Sequence, residues 1–225
     1  MTRDGLDIHD EVRRQIDALS LDAGRPLVVS DADEVLLQFV RALESYLEEV
    51  GLYLDLKSFA LTGNIKDGRT HEALEGTAVK RLLGEFFQHR VETVQPVEGA
   101  AEALAALARQ AQIIVLSNIP LSGLEARRRG LRSHGMDYPV VANAGPKGGA
   151  LALLTDLVSA PIFFLDDIPG NISSVAERAA RVTRMHFVAD PRLARLLEPA
   201  EDCHVRLDTW PDARAFIEAR LDGAD

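Results

Sequence analysis

The sequence predicts a three-layer α/β sandwich, a parallel sheet with helices on both faces, carrying a small all-α insertion. Three observations predict it. Short apolar runs alternate with segments long enough to be crossover helices. Most of the runs show no polar alternation, which marks strands buried on both faces. One connection is far longer than a crossover requires.

In chain order, residues 1–24 read as an N-terminal amphipathic helix, with Ile8, Val12, Ile16 and Leu19 on the side that meets the body. The first strand is 26–30, followed by strands at 112–116, 139–142, 161–165 and 181–188 and a weaker run at 203–207. Helices are expected at 99–110, 122–134, 147–158, 170–180, 191–198 and 211–221. The long connection, about 35–95, reads as a helical subdomain inserted after the first strand. Leu36, Val40, Leu43, Leu47 and Val50 form one stripe at helical spacing, and Gly51 sits where a C-terminal cap glycine belongs. A second helix at 77–91 carries Val79, Leu82, Leu83, Phe86 and Phe87, with Thr77 as its N-cap. Residues 61–68 between the two read as a loop. The domains are therefore a body of 1–34 plus 96–225 and a cap of 35–95.

Composition bounds the function. At about 150 residues per domain, 225 residues make one large domain with an insertion. Cys203 is the sole cysteine, so an internal disulfide, a four-cysteine zinc site and a CxxC redox pair are excluded, and a reducing cytoplasmic setting is expected. The net charge of −10 argues against nucleic-acid and membrane partners. The six histidines show no metal-ligand spacing and read as surface or core residues. Arg127, Arg128 and Arg129 read as a solvated helix face. Cys203 reads as structural. GPKGG lacks the spacing of a nucleotide-binding P-loop. Oligomeric state is not legible.

Ligands of open parallel sheets bind beyond the carboxyl ends of the strands. There the chain places Asp31-Ala32-Asp33-Glu34-Val35, Ser117-Asn118, Gly145-Pro146-Lys147-Gly148-Gly149 and Asp166-Asp167-Ile168-Pro169-Gly170-Asn171. Four aspartates and one lysine converge on one edge. Their charges sum to about −3, which repels a phosphate dianion; a divalent cation makes the sum about −1. All-oxygen ligands without His or Cys favour Mg²⁺.

VVSDADEV, VLSN, PKGG and FFLDDIPGN, in that order and each at a strand end or helix start, resemble the four motifs of the haloacid dehalogenase superfamily over about 26–188. The resemblance implies a Rossmann-like body with a cap after the first strand. It implies that Asp31 is a nucleophile forming an aspartyl-phosphate, and that Asp33 is the general acid and base. Lys147 would neutralise developing charge, and Ser117 and the backbone after it, at Asn118, would with Lys147 bind the phosphoryl oxygens. The Asp31 carboxylate, the Asp33 main-chain carbonyl and Asp167 would hold Mg²⁺, with Asp166 as a neighbouring or alternative ligand and Asn171 orienting the acids. In the cap, Asn64 and Lys66, with Arg69, are candidates to read a polar substrate. Many family members carry Gly after the second Asp; here Glu34 stands there, at the hinge into the cap.

The expected activity is thus Mg²⁺-dependent hydrolysis of a small phosphorylated metabolite. A phosphomutase or phosphotransferase of the same family and a non-hydrolytic binding protein on the same scaffold are the alternatives. A haloacid dehalogenase or phosphonatase is disfavoured by the acid at Asp33.

Overall fold

A computed structural model describes residues 9–223. Alternate residues of the central strands enter different apolar clusters: Val28, Ile113, Val115, Phe163 and Leu165 enter one, Leu27, Val29, Ile114, Leu116, Ile162 and Phe164 the other. These strands have no solvent face, which is why their sequences lack polar alternation. Each large side chain so buried contributes about 1.5–3 kcal/mol.

The strands are β1 (Leu27–Ser30), β4 (Gln112–Ser117), β5 (Val140–Ala142), β6 (Ile162–Asp166), β7 (Thr183–Phe187) and β8 (Val205–Leu207). They form one sheet in the order β5-β4-β1-β6-β7-β8, all parallel. β1 therefore lies between β4 and β6, where the chain's winding changes direction. Ser30 pairs with both Val115 and Leu165. The residues that follow β1, close β4 and close β6 are thereby brought together at the edge where such sheets bind ligands.

Helix α1 (Asp10–Asp17), α6 (Gly148–Leu157) and α7 (Pro169–Arg178) cover one face through Val12, Ile16, Leu151, Leu154, Ile172 and Val175. Leu19 packs beside them, as does Cys203, which is half-buried; Ile8 lies outside the described residues. The other face carries α4 (Ala100–Leu107), α5 (Leu124–Ser133) and α9 (Trp210–Leu221). The predicted helix at 191–198 is a single turn, α8 (Pro191–Ala194).

Between β1 and β4 lie α2 (Phe39–Glu49), β2 (Leu52–Leu54), β3 (Ile65–Asp67) and α3 (Gly76–His89). The insertion is not all-α, because β2 and β3 pair antiparallel. Three-residue strands are too short to carry a readable period. Their pairing is decided by tertiary packing, here the full burial of Ile65. The stripe of α2 is shorter than its sequence suggests: Val50 is 48% exposed, whereas Val40, Leu43 and Leu47 are buried. Gly51 takes φ +76°, as a residue ending a helix does. Thr77 is not the cap of α3; that position is held by Glu75, with no side-chain bond.

Residues 31–38 are not helical. They form a turn and then half of a two-stranded neck. Gln38 N–H donates to the Gln95 carbonyl and Val97 N–H to the Leu36 carbonyl, each at 2.8 Å. Trp210 Nε1 donates to the Val35 carbonyl at 2.8 Å and anchors the neck to α9.

Glycine at 148 is dictated by packing. A Cβ there would overlap the Ser174 carbonyl oxygen, so α6 and α7 touch backbone to backbone. Gly148→Ala is expected to cost about 3 kcal/mol by forcing the helices apart. Urea unfolding checks this, and a loss below about 1 kcal/mol contradicts it.

Candidate active site

Asp31 is the first residue past β1. Its N–H donates to the Leu165 carbonyl at 2.9 Å, which extends the ladder by one residue and fixes the carboxylate over the sheet edge. Lys147 precedes α6 and is 1% exposed. Its Nζ donates to Asp31 Oδ1 and, at 2.6 Å, to Asp166 Oδ2. Burial opposes the charge on this lysine, but Asp166 and Asp31 together hold its pKa above the ordinary value. The close contact of α6 on α7 at Gly148 brings Lys147 to this depth.

Asp166 closes β6 and is fully buried. Its Oδ1 accepts from Asn171 Nδ2 and from the Ile168 N–H, both at 2.9 Å. With Lys147 on Oδ2, both its oxygens are engaged. Asp167 is the opposite case. It is 6% exposed, and among the described residues no donor bonds its carboxylate. Burial, together with Asp166 and Asp31, pushes its pKa well above the carboxylate range. The sequence left this adjacent pair unresolved; hydrogen bonding separates them.

His186, fully buried on β7, holds the Asp167 main chain. Its Nδ1 accepts from the Ala200 N–H at 3.0 Å, which assigns the ring proton to Nε2. Nε2 donates to the Asp167 carbonyl at 3.0 Å.

Asp33 sits on the turn after β1, and burial raises its pKa even against the pull of Arg127. Arg127 Nη2 donates to both its carboxylate oxygens, at 2.7 and 2.8 Å. This overturns the reading of Arg127 as solvated: it is 0% exposed. Arg128 and Arg129 do face outward, pairing with Glu125 and Glu92. Leu124, Arg127 and Leu131 share one helical stripe, and an arginine on an apolar stripe is the signal that could have found it.

Ser117 ends β4 with its Oγ buried and, among the described residues, without a partner. Asn118 bonds the neighbouring loop through its side chain. Its Nδ2 donates to the Gly145 carbonyl at 3.0 Å, and its Oδ1 accepts from Asn143 Nδ2 at 2.7 Å. Its side chain braces the loop before Lys147. Asn143, which sequence reasoning missed, also donates to the Gly145 carbonyl at 2.9 Å.

Two of the three cap candidates bond within the cap. Asn64 Nδ2 donates to the Ser58 carbonyl at 2.8 Å and the Ala60 carbonyl at 2.7 Å. Lys66 pairs with Asp55 at 2.6 Å. Arg69 is exposed.

Glu34 takes φ +58°, a left-handed conformation that glycine reaches without strain. In return, its buried Oε1 accepts from the Val40 N–H at 2.6 Å, in the first turn of α2. Burial, only partly offset by that bond, lifts its pKa to about 7. A cavity of about 640 Å³ opens beside it, between Gln38, Arg41, Asp190 and Thr209; Asp31, Asp33, Lys147 and Asp167 are not in its lining.

Among the described residues, no group of three or more His, Cys, Asp or Glu side chains is placed to hold a metal ion. The resemblance calls for fewer, two carboxylates and one main-chain carbonyl. Asp167 fits that demand, being a buried carboxylate with no hydrogen bond and other carboxylates around it. Such a group needs a cation or a proton.

Structure comparison places this chain among proteins of one fold. A haloacid dehalogenase family hydrolase from Deinococcus radiodurans R1, with bound phosphate and sodium, is 22% identical, covering 89% of this chain and 98% of its own at a TM-score of 0.59. An L-2-haloacid dehalogenase is 10% identical, with coverage of 86% and 100% and a TM-score of 0.56. A putative beta-phosphoglucomutase from Bacteroides vulgatus is 14% identical, with coverage of 96% of both chains and a TM-score of 0.52. No family model and no curated protein matches the sequence. The three neighbours carry different chemistries, so the fold alone does not choose among them.

Proposed function

We propose that this chain, which has the haloacid dehalogenase-like fold, is a hydrolase of that superfamily: an Mg²⁺-dependent phosphatase acting on a small phosphorylated metabolite in the cytoplasm. One observation carries the reading. Asp31, Lys147 and Asp166 form a buried chain at the sheet edge, with the unbonded Asp167 beside it and Asp33 two residues from Asp31.

The Asp31 carboxylate attacks phosphorus, a bond forms between its oxygen and phosphorus, and the bond to the leaving oxygen breaks. Asp33 delivers the proton to the departing alcohol. It then takes a proton from the water that cleaves the aspartyl-phosphate, releasing phosphate and restoring Asp31. Lys147 opposes charge building on Asp31 and the phosphoryl group, and the unpartnered Ser117 Oγ receives a phosphoryl oxygen. Asp31, the Asp33 main-chain carbonyl and Asp167 would hold Mg²⁺, while Asp166, bonded by Asn171, orients Lys147. When bound, the cation offsets negative charge shared by carboxylates and substrate. Residues 35–95 form the cap, moving on the paired neck against a body of 1–34 and 96–225. The acid at Asp33 favours phosphate-ester hydrolysis over dehalogenation, because an alcohol, unlike a halide, leaves with a proton.

Hydrolysis of p-nitrophenyl phosphate is expected with Mg²⁺, falling at least about tenfold in EDTA and returning on Mg²⁺ addition. A wild-type protein inactive with Mg²⁺, or indifferent to EDTA, overturns the reading.

A further inference from the structure

We propose that Arg127 is the positioning residue for Asp33, an inference that rests on reading Asp33 as the acid that protonates the leaving group. Arg127 is fully buried, and among the described residues Asp33 is the one partner bonded by its guanidinium; Nε and Nη1 have none. Stability does not account for an arginine there. A buried ion pair replaced by apolar side chains of similar volume is often neutral or better, and two orphaned donors weaken the case further. What the arginine provides is an anchor. Asp33 lies on a turn between β1 and the neck, in a segment that must flex if the cap moves, and Arg127 Nη2 bridges its two carboxylate oxygens.

The anchor belongs to the body, on helix α5. That helix packs against residues 91–93, where the chain returns from the cap to the neck. A Cβ at Gly130 would lie 2.8 Å from the Glu92 carbonyl oxygen, and Arg129 pairs with Glu92 at 2.6 Å. The same helix follows β4, which ends in Ser117. Arg127 thereby fixes the Asp33 carboxylate relative to the strand that receives the phosphoryl oxygens, and Asp33 keeps its place while the neck carries the cap.

The test compares kcat/KM of the Mg²⁺-loaded protein on phenyl phosphate, whose leaving group needs a proton, and on p-nitrophenyl phosphate, whose leaving group needs little help. Arg127→Met is expected to lower the value on phenyl phosphate at least about tenfold more than on p-nitrophenyl phosphate. Arg127→Lys should recover part of the loss. Asp33→Asn should show the same leaving-group discrimination, and adding Arg127→Met to it should change nothing further. Equal losses on both substrates, or losses that add in the double variant, overturn the proposal. Wild-type protein inactive on both overturns the phosphatase reading instead. The crystal structure of Arg127→Met decides the positioning independently of turnover: a displaced Asp33 carboxylate is expected, and an unmoved one overturns it.

Discussion

Asp31→Asn is expected to lower turnover of p-nitrophenyl phosphate by at least about 10³-fold while leaving the fold at least as stable as the wild type. The amide has the shape of the carboxylate but is a far poorer nucleophile, so no aspartyl-phosphate forms. The stability part follows from electrostatics. Burial pushes the Asp31 pKa upward, and Asp166 adds to the push, against the pull of Lys147. A group held in its charged form against burial costs the fold something. The substitution removes that cost, while the amide oxygen can still accept from Lys147. The expected signature is therefore loss of activity with an unchanged or raised melting temperature. Mass spectrometry of protein quenched during turnover should show a phosphoryl adduct on the wild type and none on the variant. Retained activity removes Asp31 from the chemistry; lost activity with a collapsed melting temperature points to a structural role.

That site was largely legible before folding because its residues sit at element ends. A strand buried on both faces leaves an uninterrupted apolar run, and the first polar residue after it marks the sheet edge. Asp31 and Asp166 are legible that way, and Lys147 by its unfavourable place before a helix. Residues whose role depends on a partner distant in sequence are harder to read. Arg127 and Asp33 are separated by 94 positions and Asn143 and Asn118 by 25, and no local pattern announces either pair. In a run of three arginines, two face outward and one inward, and only the stripe through Leu124 and Leu131 distinguishes them. The β2–β3 hairpin escapes sequence reading for a related reason. At three residues each, these strands owe their existence to pairing and to Ile65, not to propensity. Glu34 shows the converse. Its departure from glycine is visible in the sequence, but its compensation, a side chain accepting from Val40 in α2, requires the turn to be in place.

Lys147→Met is expected to destabilise the protein by about 3–5 kcal/mol near neutral pH, the larger of the two stability effects argued here. Methionine fills much of the same volume, so packing is not the reason. The ammonium is bonded to Asp31 and Asp166, which are 6% and 0% exposed, and its removal leaves two buried carboxylates close together with no cation. They are left to repel one another in a medium that solvates them poorly. The pH dependence follows with a definite sign. Lys147 is the largest influence opposing burial at Asp31, so its loss moves the Asp31 pKa further upward in the folded state. An acid whose folded pKa lies above its unfolded value holds its proton more tightly when folded. Its fold is then most stable below the unfolded carboxylate pKa and loses stability as pH rises toward the folded value. The deficit relative to wild type should therefore be smaller at about pH 5 than at about pH 8, in urea unfolding with EDTA present. Mg²⁺ should restore part of the deficit at the higher pH, since a bound cation supplies the missing positive charge. A loss that is equal at both pH values, or below about 1 kcal/mol, would mean that the carboxylates are solvated and that the charge balance of this site is wrong.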